Sequence, residues 1–277
     1  MKTFLRRLGI LAELALAVGM AAELWGRTAF RRVVQSDVQM LLAGSSAGEA
    51  RLVTEAMLDS LPEPVQRYLR YTGVIGKPFV RTVQLRESGQ MLLTSGRPWI
   101  PLKAQQWYAV QPPGFVWYCT LHIGPIPIVR ARDMYRTGAG HMLIKAASLV
   151  TVADAKGKEI DQGEMVRYLS EMMWFPSAFL EDNVSFEAVD ARSARVTLTD
   201  RGRTATGTLF FDPDGSLTEF VAQRYAGSDL ETWSVPITAY GEFEGLKLPV
   251  RCKAVWKLAD GDQEYIDVNI VELRYED

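Results

Sequence analysis

"YLSEMMWFPSAFL", residues 168–180, sets two methionines, a tryptophan and a phenylalanine in a row before a proline. It closes the one segment of three-to-four-residue rhythm inside a long run of two-residue rhythm, and that contrast decides the fold. Met165, Tyr168, Leu169, Met172 and Met173 recur at i, i+3, i+4, i+7 and i+8, which makes one apolar stripe of an α-helix. Asp161 and Glu164 have the spacing of a capping box, with Asp161 as N-cap. Arg167 and Glu171 stand four apart and pair across the outer face. Pro176 disfavours helical geometry in the residue before it, so the helix stops at Trp174 or Phe175. The spacing therefore predicts a helix over 161–175.

On both sides of this helix apolar residues alternate with polar ones, the period of half-buried strands. "VRTVQLRESGQMLLT" (80–94) reads as a hairpin turning near Glu87 to Gln90. "PLKAQQWYAV" (101–110), "GFVWYCTLHI" (114–123), "IPIVRARDMYRTG" (126–138) and "GHMLIKAASLVTV" (140–152) continue the series. After the helix, strands recur from "VSFEAVD" (184–190) to "EYIDVNIVELRYE" (264–276), separated by turn signals such as "DPDGS" and "ADGDQ". The expected class is mainly β (α+β), with about eleven or twelve mostly antiparallel strands. So many strands must curl to bury one face, giving a large curled sheet or open β-barrel. The inserted helix then has one natural place for its methionine stripe, across the mouth of the curl as a lid.

The chain of 277 residues begins with a basic cluster, and "LGILAELALAVGMAAELW" (8–25) follows with the length of a membrane helix. Glu13 inside it costs about 2.5–3.5 kcal/mol on the insertion scale, which the Leu, Ile, Val, Ala and Met neighbours offset. Residues 1–28 are expected to form an anchor in the bacterial inner membrane with the soluble domain outside the cytoplasm. Export after signal cleavage is the alternative. Residues 29–60 read as a helical stalk or linker, interrupted by a loop at "AGSSAGEA", and 61–277 as the β domain. "LPEPVQRYLRYTG" (61–73) is a compact helix with Pro64 in its first turn and Gly73 at its end.

The net charge of −2 leaves no broad basic field for nucleic acid. Two cysteines, Cys119 and Cys252, read as buried thiols, with a single disulfide as the alternative. Two histidines without ligand spacing suggest neither a metal site nor a Ser-His-Asp triad. No metal and no cofactor is expected.

At "LPEPVQRYLRYTG", "PPGFVWY", "RARDMYRTGAG", "GEMVRYLSEMMWFPSA" and "FDPDGSL" the chain resembles a bacterial family catalogued as a domain of unknown function. Its members are similar in being anchored or exported with this motif order. The resemblance spans 61–277 and implies no activity. The strand–helix–strand order is also similar to the lipoprotein-carrier fold of outer-membrane lipoprotein sorting, an unclosed barrel with a helical lid over an acyl-binding cavity. That likeness rests on pattern rather than on matched residues.

Trp107, Trp117, Tyr135, Met172, Met173, Trp174 and Phe175 are the candidate lining of a cavity for an acyl chain or other apolar ligand. Ordinary core packing is the competing reading. Arg132 and Asp133 are candidates for a polar head group. An inward Asp133 needs a partner, such as Arg81, Arg224 or a hydroxyl. Asp133, Tyr135 and Glu171 form the alternative, a hydrolase-type site: Asp133 with Tyr135 as an acid/base pair, or Glu171 facing Asp133 as a two-carboxylate site. A structural ion pair at Asp133 and a solvated Arg167–Glu171 pair are the plainer readings. A third function class, a structural or assembly partner in a membrane complex, predicts a large exposed apolar patch.

Overall fold

The computed structural model describes residues 2–45 and 51–276, with side chains in the first helix at 13 and from 17 onward. Strands β1 (Thr82–Met91), β2 (Ile100–Ala109), β3 (Gly114–Ile123), β4 (Ile126–Arg136), β5 (Ala139–Ala146) and β6 (Val150–Ala155) precede the inserted helix. Strands β7 (Val184–Asp190), β8 (Ser193–Asp200), β9 (Arg203–Phe211), β10 (Leu217–Ala226), β11 (Asp229–Phe243), β12 (Leu246–Leu258) and β13 (Gly261–Glu276) follow it. All thirteen form one sheet in the order β6-β5-β4-β3-β2-β1-β13-β12-β11-β10-β9-β8-β7. Two antiparallel meanders are thus joined at their centre by the pairing of β1 with β13.

This order explains the helix. α3 (Lys158–Glu171) connects β6 to β7, and these are the two free edges of the sheet. A short chain can join the edges only if the sheet curls, because an open sheet of this width would hold them far apart. The curl is visible in contacts between the wings: Tyr135 on β4 donates to Asp200 on β8 at 2.8 Å. Arg203 on β9 reaches Asp161 of α3 at 2.8 Å, and the other Asp161 oxygen accepts from the Gly140 N–H of β5 at 2.8 Å. β6 and β7 do not pair, so the barrel is open, with α3 across the gap.

Four expectations are revised. First, 82–91 is one strand rather than a hairpin. Gly89 serves close approach and not a turn, since a Cβ there would stand 2.1 Å from the Asp267 carbonyl oxygen. Second, "GHMLIKAASLVTV" is two strands, turned at Ala147 and Ser148, which adopt φ of 44° and 61°. Third, Asp161 is not the N-cap; the helix starts at Lys158 after Gly157, and Asp161 ties β5 to β9 instead. Fourth, the helix ends at Glu171, and Met172–Trp174 and Pro176–Leu180 continue as 3-10 turns.

At the N-terminal side, α1 (Lys2–Ala43) is one continuous helix. Phe30, Val34 and Leu41 are buried against Ala109, Val116 and Leu143 on the outer face of the sheet. Two arginines fix this docking. Arg130, 3 % exposed, pairs with Glu23 at 2.9 Å. Arg132 Nε stands 3.1 Å from Asp37 Oδ2, and Arg132 also donates to the His141 carbonyl at 2.8 Å. Among the described residues no helix is long and apolar enough to cross a membrane. The side chains of 2–12 and 14–16, on which the anchor expectation mostly falls, lie outside the description, as do residues 46–50 of the expected "AGSSAGEA" loop. α2 (Glu63–Thr72) ends on Gly73, whose left-handed φ of 75° is the expected stop.

Gly89→Ala tests the single-strand reading. Forcing a methyl against the β13 backbone is expected to cost about 2 kcal/mol or more, measured by denaturant unfolding. A hairpin turn at that position would lose only about 1 kcal/mol, the strain of a left-handed φ.

Candidate functional site

Alternation along β2, β3 and β4 decides which side chains face inward. On β2, Gln106 and Tyr108 are buried inside the curl, so Trp107 between them faces α1. On β3, Trp117, Cys119 and Leu121 face inward. On β4, Val129, Ala131 and Asp133 do the same, and Arg130 and Arg132 therefore point outward to α1. Between these strands, the opposite wing and α3 lies a cavity of about 550 Å³. Its wall is largely apolar, with Leu121, Val129, Ile144, Val235, Ala254 and Val268 among the lining side chains. Exposed Leu93 and Gly227 mark its opening.

The polar edge of α3 forms one side of the cavity. Glu164, Arg167 and Glu171 fall at i, i+3 and i+7 and all line it. Met165, Tyr168, Leu169 and Met172 turn to the solid core instead; Tyr168 packs on Tyr108 and Phe175. The apolar stripe faces the interior of the curl as expected, but the charged face is not outward. α3 is buried on both faces, and the Arg167–Glu171 pair, read as solvated, is enclosed.

Arg167 is the hub. It donates to Asp133 at 2.9 Å and to Glu171 at 2.8 Å, and its guanidinium lies 4.6 Å from the centre of the Trp117 ring. Glu171 also accepts from Gln106 at 2.7 Å and Tyr108 at 3.0 Å. Burial works against the Arg167 charge, but Glu171, Asp133 and Glu164 outweigh it and hold the guanidinium firmly protonated. Burial raises Asp133 above the ordinary aspartate range, opposed by Arg167, Arg224 and Arg132.

Two further glutamates complete the group. Glu87 accepts from Trp117 Nε1 at 3.1 Å; burial, with the nearby Glu171 charge, raises it from 4.5 to about 7. Glu164 has Arg224 at 4.0 Å; burial, then the Asp133 charge, raises it from 4.5 to about 8. Arg224 is itself committed, donating to the Gly163 carbonyl at 3.0 Å and lying 4.7 Å from the centre of the Trp233 ring.

Of the seven sequence-predicted lining residues, Trp117, Met173 and Trp174 border the cavity. Met172 and Phe175 are core, Tyr135 is buried and bonded to Asp200, and Trp107 lies under α1. Asp133 borders the cavity, whereas Arg132 lies on the opposite face and cannot touch a head group inside. Asp133 and Glu171 do meet, through Arg167; Tyr135 does not join them. Cys119 and Cys252 both line the cavity as free thiols.

Glu87 and Glu164 were not recognised from sequence as site residues. Read as one strand, Val83, Leu85 and Glu87 share a face, which is the signal for Glu87. The i, i+3, i+7 polar stripe is the signal for Glu164.

The sequence model of a family described as "Family of unknown function (DUF6544)" matches residues 51–268. No curated protein matches the chain in sequence. Among solved structures, a domain named for outer membrane lipoprotein sorting, from Vibrio parahaemolyticus, aligns at a TM-score of 0.41 and 8 % identity, covering 71 % of this chain and 86 % of that one. A LolA superfamily protein from Nitrosomonas europaea aligns at 0.43 and 8 % identity, covering 82 % and 95 %. The fold described above stands on its own strand pairing and not on these distant likenesses.

The raised glutamates make stability pH-dependent with a definite sign. Both titrate near 4.5 when unfolded and near 7 and 8 when folded, so the folded state holds extra protons. Their contribution is full below the unfolded value and is lost as pH rises through the folded ones. Unfolding free energy should fall from about pH 5 to about pH 9, and Glu164→Gln should flatten that fall. Denaturant melts across pH read this directly.

Proposed function

The chain belongs to that family of unknown function, and from this premise we propose that it is a bacterial envelope protein that binds a lipid or other apolar ligand in the cavity under α3. The observation that carries this reading is the cavity itself. A volume of about 550 Å³ bounded mostly by apolar side chains matches the general form of small-molecule sites, which are concave, apolar and furnished with a few placed polar groups. A packed core leaves no void of this size. Met173, in the 3-10 turn after α3, suits a wall that must follow the shape of a flexible chain. Residues 1–28 are proposed as the anchor that holds the β domain, 61–277, at the inner membrane on its extracytoplasmic side.

A second reading draws on one observation, the convergence of Asp133 and Glu171 on Arg167. A hydrolase would use these two carboxylates as acid and base. Both are already held by the Arg167 guanidinium, which favours a structural and head-group role over proton transfer.

The test is native mass spectrometry and lipid extraction on gently purified full-length protein. The expected result is a co-purifying apolar ligand, lost when Ala254→Trp fills the cavity while the thermal melt stays cooperative. Protein that carries no ligand and takes up no long-chain amphiphile would contradict the reading. Turnover of acyl esters abolished by Asp133→Asn would favour the hydrolase instead.

A further inference from the structure

We propose that the ligand of this cavity carries a cationic head group with several N–H donors, a primary ammonium or a guanidinium, seated against Glu164 and Asp133. The inference rests on the reading that the cavity takes an apolar chain, and it names that ligand's polar end.

The first ground is charge. Five carboxyl groups, Glu87, Asp133, Glu159, Glu164 and Glu171, border the cavity, against the guanidiniums of Arg167 and Arg224. Lys253 also borders it but is paired with Glu264 at 2.8 Å. The enclosed set therefore has more carboxyl groups than cations, and burial leaves Glu164 holding a proton that an arriving cation can displace.

The second ground is geometry. Glu164 is 4 % exposed, and its Oε2 has no hydrogen-bond partner. Asp133 Oδ1 is likewise unpartnered. Buried acceptors are almost always satisfied, so two in one cavity mark a place where a donor is expected. The resident cations cannot serve. Arg167 is engaged with Asp133 Oδ2, Glu171 and the Trp117 ring, and Arg224 with Gly163, Tyr265 and the Trp233 ring.

The third ground separates an organic cation from a metal ion. Among the described residues no three His, Cys, Asp or Glu side chains converge closely enough to hold a metal. An ammonium on a chain tolerates acceptors that are spread apart, because its donors point in several directions. The charged groups that face Glu164 are Arg167 and Glu171 on α3, Asp133 on β4 and Arg224 on β10. A cation arriving among them ionises Glu164, and its proton leaves to solvent.

Isothermal titration of the full chain with dodecylamine, dodecanol and dodecanoate, each below its micelle concentration, tests this. The amine is expected to bind at least about tenfold more tightly than the alcohol, with dodecanoate weakest and with proton release on amine binding. Glu164→Gln should erase the amine's advantage and leave the alcohol unchanged. Alcohol or dodecanoate binding as tightly as the amine in the unaltered chain would overturn the head-group inference alone. No binding by any of the three would overturn the apolar-cavity reading itself, and the inference with it.

A different observation carries a second inference. The strand registers place the β1–β2, β3–β4 and β5–β6 turns at one end of their wing. The cavity opens at this end, beside exposed Leu93. Ile123 and Ile126 on the β3–β4 turn and Val150 at the β5–β6 turn are 62 %, 63 % and 64 % exposed. α1 runs along the outer wall toward the same end: Leu41 packs at Gly114, Phe30 at Tyr118, and Gly26 at Ser148 and Leu149. Beyond Gly26 it carries exposed Val18, Met20, Leu24 and Trp25, within the apolar stretch 8–25.

We infer that this rim rests on a lipid bilayer, so that the cavity opens toward the membrane. The occupant is lipid rather than a protein because exposed apolar side chains of two β-turns and of the departing helix gather at one rim, with Trp25 placed as an interfacial residue.

The test uses full-length chain in vesicles of phosphatidylcholine and phosphatidylglycerol, on a C119A/C252A background. A polarity-sensitive dye is placed at Ile126→Cys, Val150→Cys or Met40→Cys. Quenching by doxyl-labelled lipid is expected at 126 and 150 and not at 40, which lies toward the opposite end. Equal quenching at all three, or none at 126 and 150, would overturn the inference.

Discussion

The architecture depends on a buried arginine. Arg167 projects from α3 into the curled sheet and is held by Asp133 from β4, Glu171 from its own helix and the face of Trp117 from β3. A buried guanidinium is tolerated only when its charge is matched and its donors are used. That requirement fixes the depth and rotation of α3, and α3 is the connection between the two free edges of the sheet. Once the helix is fixed in this way, the sheet must stay curled. The space between the polar edge of α3 and the apolar walls then remains as a cavity.

The outer wall repeats the same device. Arg130 and Arg132 alternate with the inward residues of β4, and they pair with Glu23 and Asp37 of α1. One strand, "RARDMYR", therefore fastens a helix on each side of the sheet. Its outward arginines hold α1, and its inward Asp133 holds α3. This double duty accounts for so charged a segment lying in the interior, where charges occur only if paired.

Much of the fold was legible because strand alternation is a strong signal. The inward faces of "GFVWYCTLHI" and "RARDMY" follow from the period of two, and so does the single helix that interrupts the strands. The count of strands was not. Glu87 to Gln90 contains Ser and Gly, which imitate a turn, whereas Gly89 is there because the β13 backbone passes close by. The surroundings of the charged face of α3 were misread for a different reason. An apolar stripe opposite a charged one normally means core on one side and water on the other. Here both sides are enclosed, and only the tertiary pairing of Arg167 reveals which face meets the cavity. Trp107 was grouped with the apolar lining residues; the burial of its neighbours Gln106 and Tyr108 on the inner face shows that it had to point out.

The most direct measurement is the stability of Arg167→Met across pH. If the guanidinium holds α3 in place, its loss leaves Asp133 and Glu171 buried and unpaired, a cost of about 3–5 kcal/mol near neutral pH. Freed of its partner, Asp133 should titrate higher still in the folded state, so the deficit should shrink as the medium is acidified and it takes up a proton. A loss below about 1 kcal/mol, unchanged between neutral and acid conditions, would contradict the account.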